Sequence, residues 1–291
     1  MKSLLSKIEN KYDQFSKGQK LVANYILKNY DKAAFMTASK LGKTAGVSES
    51  TVVRFATEMD YNGYPELQKA IQQMMKSKLT SFQRIEVTNN RIGNADILDS
   101  VLEQDINNIR HTLCETSHDD FYKAVDYLIS SDKIYILAAR SSLPLGSFLY
   151  YYLNLIFDNV NLIKTKSETE IYERMLNINE SDVVIGISFP RYSKQVIKAI
   201  HFSSDQGSKI IALTDSISSP LIKFSDCSLL AKSDMASIVD SLTAPLSLMN
   251  ALIVAAAHKK KNAVSNRLKK LENIWEKYEV YEKIEDDLNE F

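Results

Sequence analysis

The sequence predicts an all-α helix-turn-helix domain followed by an α/β domain, a five-stranded parallel sheet flanked by helices. Three observations predict it. Residues 1–80 place apolar side chains at helical spacing and show no alternating strand pattern. Within them, Thr37–Met59 reads as two short helices joined by a tight turn. From Lys133 onward, short dense apolar runs alternate with helical patterns, which implies strand–helix units and a parallel sheet.

In chain order, Leu4, Leu5 and Ile8 open a short amphipathic stretch. Ser16 and Gln19 have the spacing of a capping box, and the helix after them carries Leu21, Val22, Tyr25 and Ile26. Thr37 is placed to cap a helix over Ala38–Lys43, and Ala45-Gly46-Val47 makes the turn, where glycine takes a positive φ cheaply. Ser48 is placed to cap a second helix running to about Asp60. On a helical wheel, Val52, Phe55, Ala56 and Met59 gather on one side, and Ser50, Arg54 and Thr57 on the other. Small residues, hydroxyls and one arginine are the composition of a helix that enters a DNA major groove. Pro65 suits the first turn of a further helix bearing Leu67, Ile71, Met74 and Met75. Between Lys78 and Asp96 the pattern weakens, which marks a linker. Helices resume at Ile97–Glu115, with Leu98, Val101, Leu102, Ile106 and Ile109 in period, and at Asp119–Ser130.

Strands are expected at Lys133–Ala138, Val160–Ile163, Asp182–Ile187, Lys209–Leu213 and Asp226–Leu230. An apolar helix follows over 240–258, then a charged helical tail with Leu268, Leu271, Ile274, Trp275 and Tyr278 in period. The domain organisation read from this is 1–78 for the helix-turn-helix domain, 79–105 for a linker and connecting helix, 106–258 for the α/β domain and 259–291 for the tail.

Composition excludes several classes. Cys114 and Cys227 are far apart and without partner spacing, which argues for a reducing compartment and against a disulfide or zinc framework. The longest near-apolar run, Leu242–Ala257, is too short and too polar to span a bilayer, and no signal pattern opens the chain, so a cytoplasmic protein without a membrane partner is expected. Net charge is zero overall but unevenly spread: residues 1–80 hold 13 Lys and Arg against 7 Asp and Glu. A basic end on an acidic body suits nucleic-acid contact confined to that end. No glycine-rich phosphate motif and no histidine metal spacing is present, so neither a cofactor nor a metal is expected.

Ligands of parallel sheets bind beyond the carboxyl ends of the strands. Here those ends read Arg140-Ser141-Ser142, Ser188-Phe189-Pro190-Arg191-Tyr192-Ser193 and Thr214-Asp215-Ser216. Hydroxyls and arginines with helix N-termini behind them suit an oxyanion.

The pattern T-x-x-x-L…G-V-S-x-x-T-V-x-R-F…Y-x-G-Y-x-x-L is carried by Thr37, Leu41, Gly46, Val47, Ser48, Thr51, Val52, Arg54, Phe55, Tyr61, Gly63, Tyr64 and Leu67. With the later Ser188–Ser193 stretch, it resembles the RpiR/MurR family of bacterial transcription regulators, and the second half is similar to the SIS (sugar isomerase) fold. The resemblance implies double-stranded operator DNA as a partner, with Thr37, Ser48, Ser50, Thr51, Arg54 and Thr57 as contacts. It also implies an anionic effector, a sugar phosphate in the family, held at Ser141, Ser142, Ser188 and Ser193. Two departures accompany it. The first loop lacks the family's glycines, and Ser188–Ser193 stands where the family often has S-x-S-G-x-T. Losing glycine restricts close backbone approach to a phosphate, while Arg140 and Arg191, with Tyr192 beside them, substitute charge and donors. A regulator without catalytic residues, forming a homodimer or higher homo-oligomer, is the expected function. The rival is a sugar-phosphate isomerase, for which Glu168, Glu170 and Glu173 are the nearest candidate bases.

Overall fold

The computed structural model describes residues 4–78, 96–164, 167–234 and 239–282, and divides into two compact units, 1–93 and 94–291. The linker expected over 79–95 and the last residues of the tail, 283–291, lie outside the described residues.

The first unit is all helix: α1 Leu4–Lys11, α2 Lys17–Lys28, α3 Tyr30–Ala33, α4 Ala38–Ala45, α5 Glu49–Glu58 and α6 Tyr64–Lys78. Ser16 and Gln19 form the capping box, each satisfying the other's backbone N–H. Ile8, Val22, Ile26, Leu41, Val52, Phe55, Met59, Leu67 and Ile71 are fully buried and make its core, with Phe15 edge-on to Phe55 at 5.1 Å. The short α3 lies beyond the point where the sequence reading ended α2. From α6, Tyr64 Oη donates to Met36 O at 2.7 Å, and the Gln68 and Gln72 amides donate to Met36 O and Ala34 O, so polar bonds hold this irregular stretch in place.

The second unit holds α7 Ile97–Glu115, α8 His118–Ser130, β1 Ile134–Ala138, α9 Leu143–Ile156, β2 Val160–Ile163, α10 Glu168–Arg174, β3 Val183–Ile187, α11 Lys194–Asp205, β4 Lys209–Thr214, β5 Cys227–Leu230, α12 Thr243–Lys259 and α13 Lys261–Lys277. The five strands are all parallel in the order β2-β1-β3-β4-β5. Side chains alternate between two cores. Ile134, Ile136, Ile185, Ile187, Ile211 and Leu213 pack against α8, α9 and α12. Tyr135, Leu137, Val184, Ile210 and Ala212 pack against α10 and α11. A sheet buried on both faces needs continuous apolar strands, which is why the runs from Lys133 onward lack alternation. Gly186 faces α11, where a Cβ would stand 2.1 Å from Ile200 Cδ1, so the glycine sets the close seat of that helix on β3.

The residues expected in period on α7 are not its buried side: Asn108 and Thr112 are buried, and Leu98, Leu102, Ile106 and Ile109 are exposed. The α7 polar side is hydrogen-bonded to the segment after β5, and the helix lies within the second compact unit.

Candidate functional site

The α4–turn–α5 hairpin is built by two glycines. Gly46 takes φ +75° at the end of α4. Gly42 lies under the turn, where a Cβ would stand 2.9 Å from Val47 O and 3.2 Å from Glu49 N. Thr37 caps α4, accepting from Lys40 N at 3.2 Å. The far end of α5 is closed by Asp60 in a left-handed conformation and by Lys11, whose Nζ donates to Glu58 O at 2.8 Å and to Asp60 Oδ2 at 2.9 Å. This lysine holds the Asp60 carboxyl below the usual carboxylate range.

Val52, Phe55, Ala56 and Met59 are buried beneath α5, and Ser48, Ser50, Arg54 and Thr57 are exposed above it. Arg54 Nε donates to Ser50 O at 3.3 Å, so the guanidinium lies along the open face. Ser48 occupies the N-cap position, but its hydroxyl makes no cap bond; it shares hydrogen bonds with the Ser50 and Thr51 hydroxyls at 2.9 and 3.0 Å. The first backbone N–H groups of α5 therefore receive nothing from the Ser48 hydroxyl, and three hydroxyls cluster at its positive end. Thr51 is half-buried, with its methyl close to Gly18 in the first turn of α2. The sequence reading omitted Val53, which is 40% exposed beside Arg54; its apolar character separated it from the hydroxyls it sits among.

In the second unit, strand order reverses at β1. The crossover from β1 goes out to β2 through α9 on one face, and β3 leads to β4 through α11 on the other. Ligands of such sheets bind outside the carboxyl ends of the strands at a switch point, here the ends of β1 and β3. Ala138 is in register with Ile187, so the two loops start on neighbouring strands about 5 Å apart. They are Ala139–Ser142 and Ser188–Ser193, the two the sequence singled out.

Their geometry answers the missing glycines. Arg140 has φ +55° and Arg191 φ +65°, two of the four non-glycine positive φ values among the described residues. Both arginines thus adopt the left-handed backbone for which glycine is favoured. Arg191 stands at the glycine position of S-x-S-G-x-T, in a conformation that costs an L-residue roughly 1 kcal/mol. Strain of this sort persists where the surroundings over-determine it, and it clusters at binding sites. Arg140, Ser141 and Arg191 are exposed, so both guanidinium-bearing loops face outward.

The serines divide into two kinds. Ser188 is buried, its Oγ accepts from Ser193 N at 3.0 Å, and its carbonyl accepts from Thr214 Oγ1 at 2.8 Å; it shapes the loop. Ser142 is buried at the start of α9. Ser193 caps α11, accepting from Val196 N at 3.5 Å. Tyr192 Oη donates to Asp215 Oδ1 at 2.8 Å, and burial, then the Asp215 charge, push its phenol well above the ordinary tyrosine range. That bond brings in the β4 loop, Thr214–Ser219, which the sequence reading cited as a strand end without assigning residues. Thr214, Ser216 and Ser219 are buried, and Thr214 and Ser219 hydroxyls lie 2.8 Å apart. The signal was a run of hydroxyls directly after a strand.

The candidate isomerase bases are engaged elsewhere. Glu168 is ion-paired with Lys198 at 2.8 Å and Glu170 with Arg174 at 2.7 Å, all on the surface, and Glu173 is exposed. No helix of the described residues is long and apolar enough to cross a membrane.

Comparison with known proteins agrees with this division. Residues 2–78 match the family model of the helix-turn-helix domain, rpiR family, and residues 127–255 match the SIS domain. The chain joins an rpiR-family helix-turn-helix domain to a SIS domain. An uncharacterised HTH-type transcriptional regulator of Clostridium perfringens is 25% identical over 77% of this chain and 79% of its own length. The HTH-type transcriptional regulator HexR of Escherichia coli is 26% identical, over 76% of this chain and 75% of HexR. Among solved structures, the Vibrio vulnificus NanR protein complexed with ManNAc-6P superposes with a TM-score of 0.58 at 20% identity, covering 94% of this chain and 97% of NanR, a likeness of fold. The switch point between β1 and β3 therefore belongs to the SIS domain, and the α4–α5 hairpin to the rpiR-family domain.

Proposed function

We propose that this chain is a DNA-binding transcriptional regulator whose SIS domain senses a phosphorylated sugar or another anionic metabolite. One observation carries the reading: an rpiR-family hairpin with an open face of Ser50, Arg54 and Thr57 shares a chain with a SIS domain whose switch-point loops carry Arg140 and Arg191. The regulator names of its relatives and the sugar phosphate bound to NanR support it. Arg54 and the hydroxyls at the N-terminus of α5 are the DNA contacts. Arg140, Ser141, Arg191 and the N-terminus of α11 are the anion contacts, with Ser188 and Tyr192 fixing the loop. The candidate carboxylates are held in surface ion pairs or exposed on a helix, so the reading assigns no catalytic residue. The protein acts in the cytoplasm as a homodimer or higher homo-oligomer, presenting two heads to half-sites about 10 bp apart or a multiple of that. Effector and operator affinities are then coupled reciprocally.

The test is fluorescence anisotropy on the DNA upstream of its own gene, against scrambled DNA, at physiological salt, with a panel of sugar phosphates and other anions. Tight binding to the upstream fragment that one metabolite alters supports the proposal. Equal, weak, salt-sensitive binding to both DNAs refutes it. Arg191→Ala abolishes the metabolite response while sparing DNA binding; an unchanged response removes that loop from the effector site.

A further inference from the structure

Helix α7 is packed inside out. Down one side, Asp105 Oδ2 accepts from Thr243 Oγ1 at 2.8 Å, Asn108 Nδ2 donates to Asp234 O at 3.3 Å, Thr112 Oγ1 accepts from Lys232 N at 2.9 Å, and Glu115 is ion-paired with Lys232. Positions 105, 108, 112 and 115 share one helical face, and Asn108 and Thr112 are its buried residues. The adjoining side, about a quarter turn round the helix, carries Leu98, Leu102, Ile106, Ile109 and Leu113, each between 37% and 73% exposed. The polar bonds fix the rotation of the helix, so the apolar stripe is held outward. An apolar surface this continuous marks an interaction site.

We propose that α7 is a seam along which two copies of this chain pair, with the two helices antiparallel about a two-fold axis near Ile106. This names the interface of the homo-oligomer proposed above and rests on that part of the reading alone. Three features select a second copy. The steps between 98, 102, 106, 109 and 113 are the threes and fours of a helix-pair seam. The exposed charges beside the stripe are acidic in the first half, Asp99 and Glu103, and basic in the second, Arg110. Antiparallel pairing sets acid against base and opposes the two macrodipoles, whereas parallel pairing stacks like on like. The stripe exposes roughly 500 Å² per copy, so a two-fold pair buries about 1,000 Å², the size at which a specific interface begins. A groove of about 270 Å³ lined by Ile109, Leu113, Phe121, Tyr122 and Leu248 extends the surface. The same patch meeting itself is what closed two-fold symmetry requires.

Analytical ultracentrifugation of the full chain tests it. The parent is expected to be dimeric at micromolar concentration, and Leu102→Glu/Ile109→Glu to raise the dimer dissociation constant at least tenfold, with unchanged circular dichroism. Leu176→Glu, at an apolar residue 74% exposed elsewhere on the unit, leaves the dimer intact. For orientation, Leu98→Cys and Leu113→Cys copies, both in a Cys114→Ser background, are mixed and oxidised. Antiparallel pairing gives mostly the mixed disulfide dimer. A parent dimer that survives the double glutamate change overturns the seam but leaves the oligomer reading standing. A monomeric parent overturns both, including the case in which α7 is covered by its own chain. Same-residue cross-links alone overturn the antiparallel arrangement.

Discussion

Gly42→Ala is the substitution whose sign the structure decides against propensity. In an open helix, glycine to alanine gains about 1 kcal/mol of helix stability. At Gly42 the new Cβ would stand 2.9 Å from Val47 O, 3.2 Å from Ser48 C and 3.2 Å from Glu49 N, all backbone atoms of the turn. A backbone carbonyl cannot swing aside as a side-chain tip does, and Val47 N is itself tied to Gly42 O at 2.8 Å. Overpacking of this kind costs about 1–3 kcal/mol. Relief requires the turn to shift by several tenths of an ångström, carrying the N-terminus of α5 with it. The net expectation is a loss of up to about 2 kcal/mol in the first domain, with at least a tenfold loss of operator affinity. The single tryptophan, Trp275, lies in the second unit and does not report on this one. Hydrogen exchange of the amides in residues 38–58, with anisotropy on operator DNA, reads both effects. Gly46→Ala serves as comparison: nothing lies within 4 Å of its Cβ, so it costs only its φ of +75°, about 1–2 kcal/mol, with less effect on affinity. If Gly42→Ala exchanges as slowly as the parent and binds DNA as tightly, the account of the turn is wrong.

Arg54→Ala is expected to cost about 1–3 kcal/mol of specific binding, measured as the operator affinity relative to scrambled DNA; equal losses on both make Arg54 a phosphate contact. Gly186→Ala forces a Cβ to within 2.1 Å of Ile200 Cδ1 and is expected to destabilise the SIS domain by about 1–3 kcal/mol. Ile200→Val removes that methyl and recovers part of the loss in Trp275-detected denaturation; the two effects simply adding would refute the contact. Burial, with the Asp120 charge, pushes the Cys227 thiol up to about 12, so in the native protein a thiol reagent at pH 8 labels Cys114 alone. Because the thiol is raised in the folded state, its stabilising contribution is complete below about pH 9 and is lost as pH rises toward 12; Cys227→Ala removes that part of the alkaline unfolding.

Most of the fold was legible because its signals are local. The Ser16–Gln19 capping box, the Thr37 cap, Gly46 in the turn and the buried quartet Val52, Phe55, Ala56 and Met59 follow from spacing alone. The five strands were legible because a sheet covered on both faces must be apolar at every position. Short α3 was missed because it has no side-chain N-cap and its C-terminal end is held by tertiary bonds from Tyr64 and Gln72. The apolar stripe of α7 was legible from its period, but its exposure was not, since periodicity gives a face and not what it faces.

By itself, then, the sequence determined which residues share a helix face, where each strand ends, and that hydroxyls and arginines gather at those ends, because these depend on near neighbours along the chain. Tertiary structure alone decided the strand order β2-β1-β3-β4-β5, which puts the Arg140 and Arg191 loops side by side at the switch point, and the left-handed backbone both arginines adopt. It also decided that Asn108 and Thr112 turn inward and Leu102 and Ile109 outward. The partners that fix those choices, among them Ile187, Leu213, Lys232 and Asp234, lie from about twenty to well over a hundred residues away along the chain, beyond the reach of any local pattern.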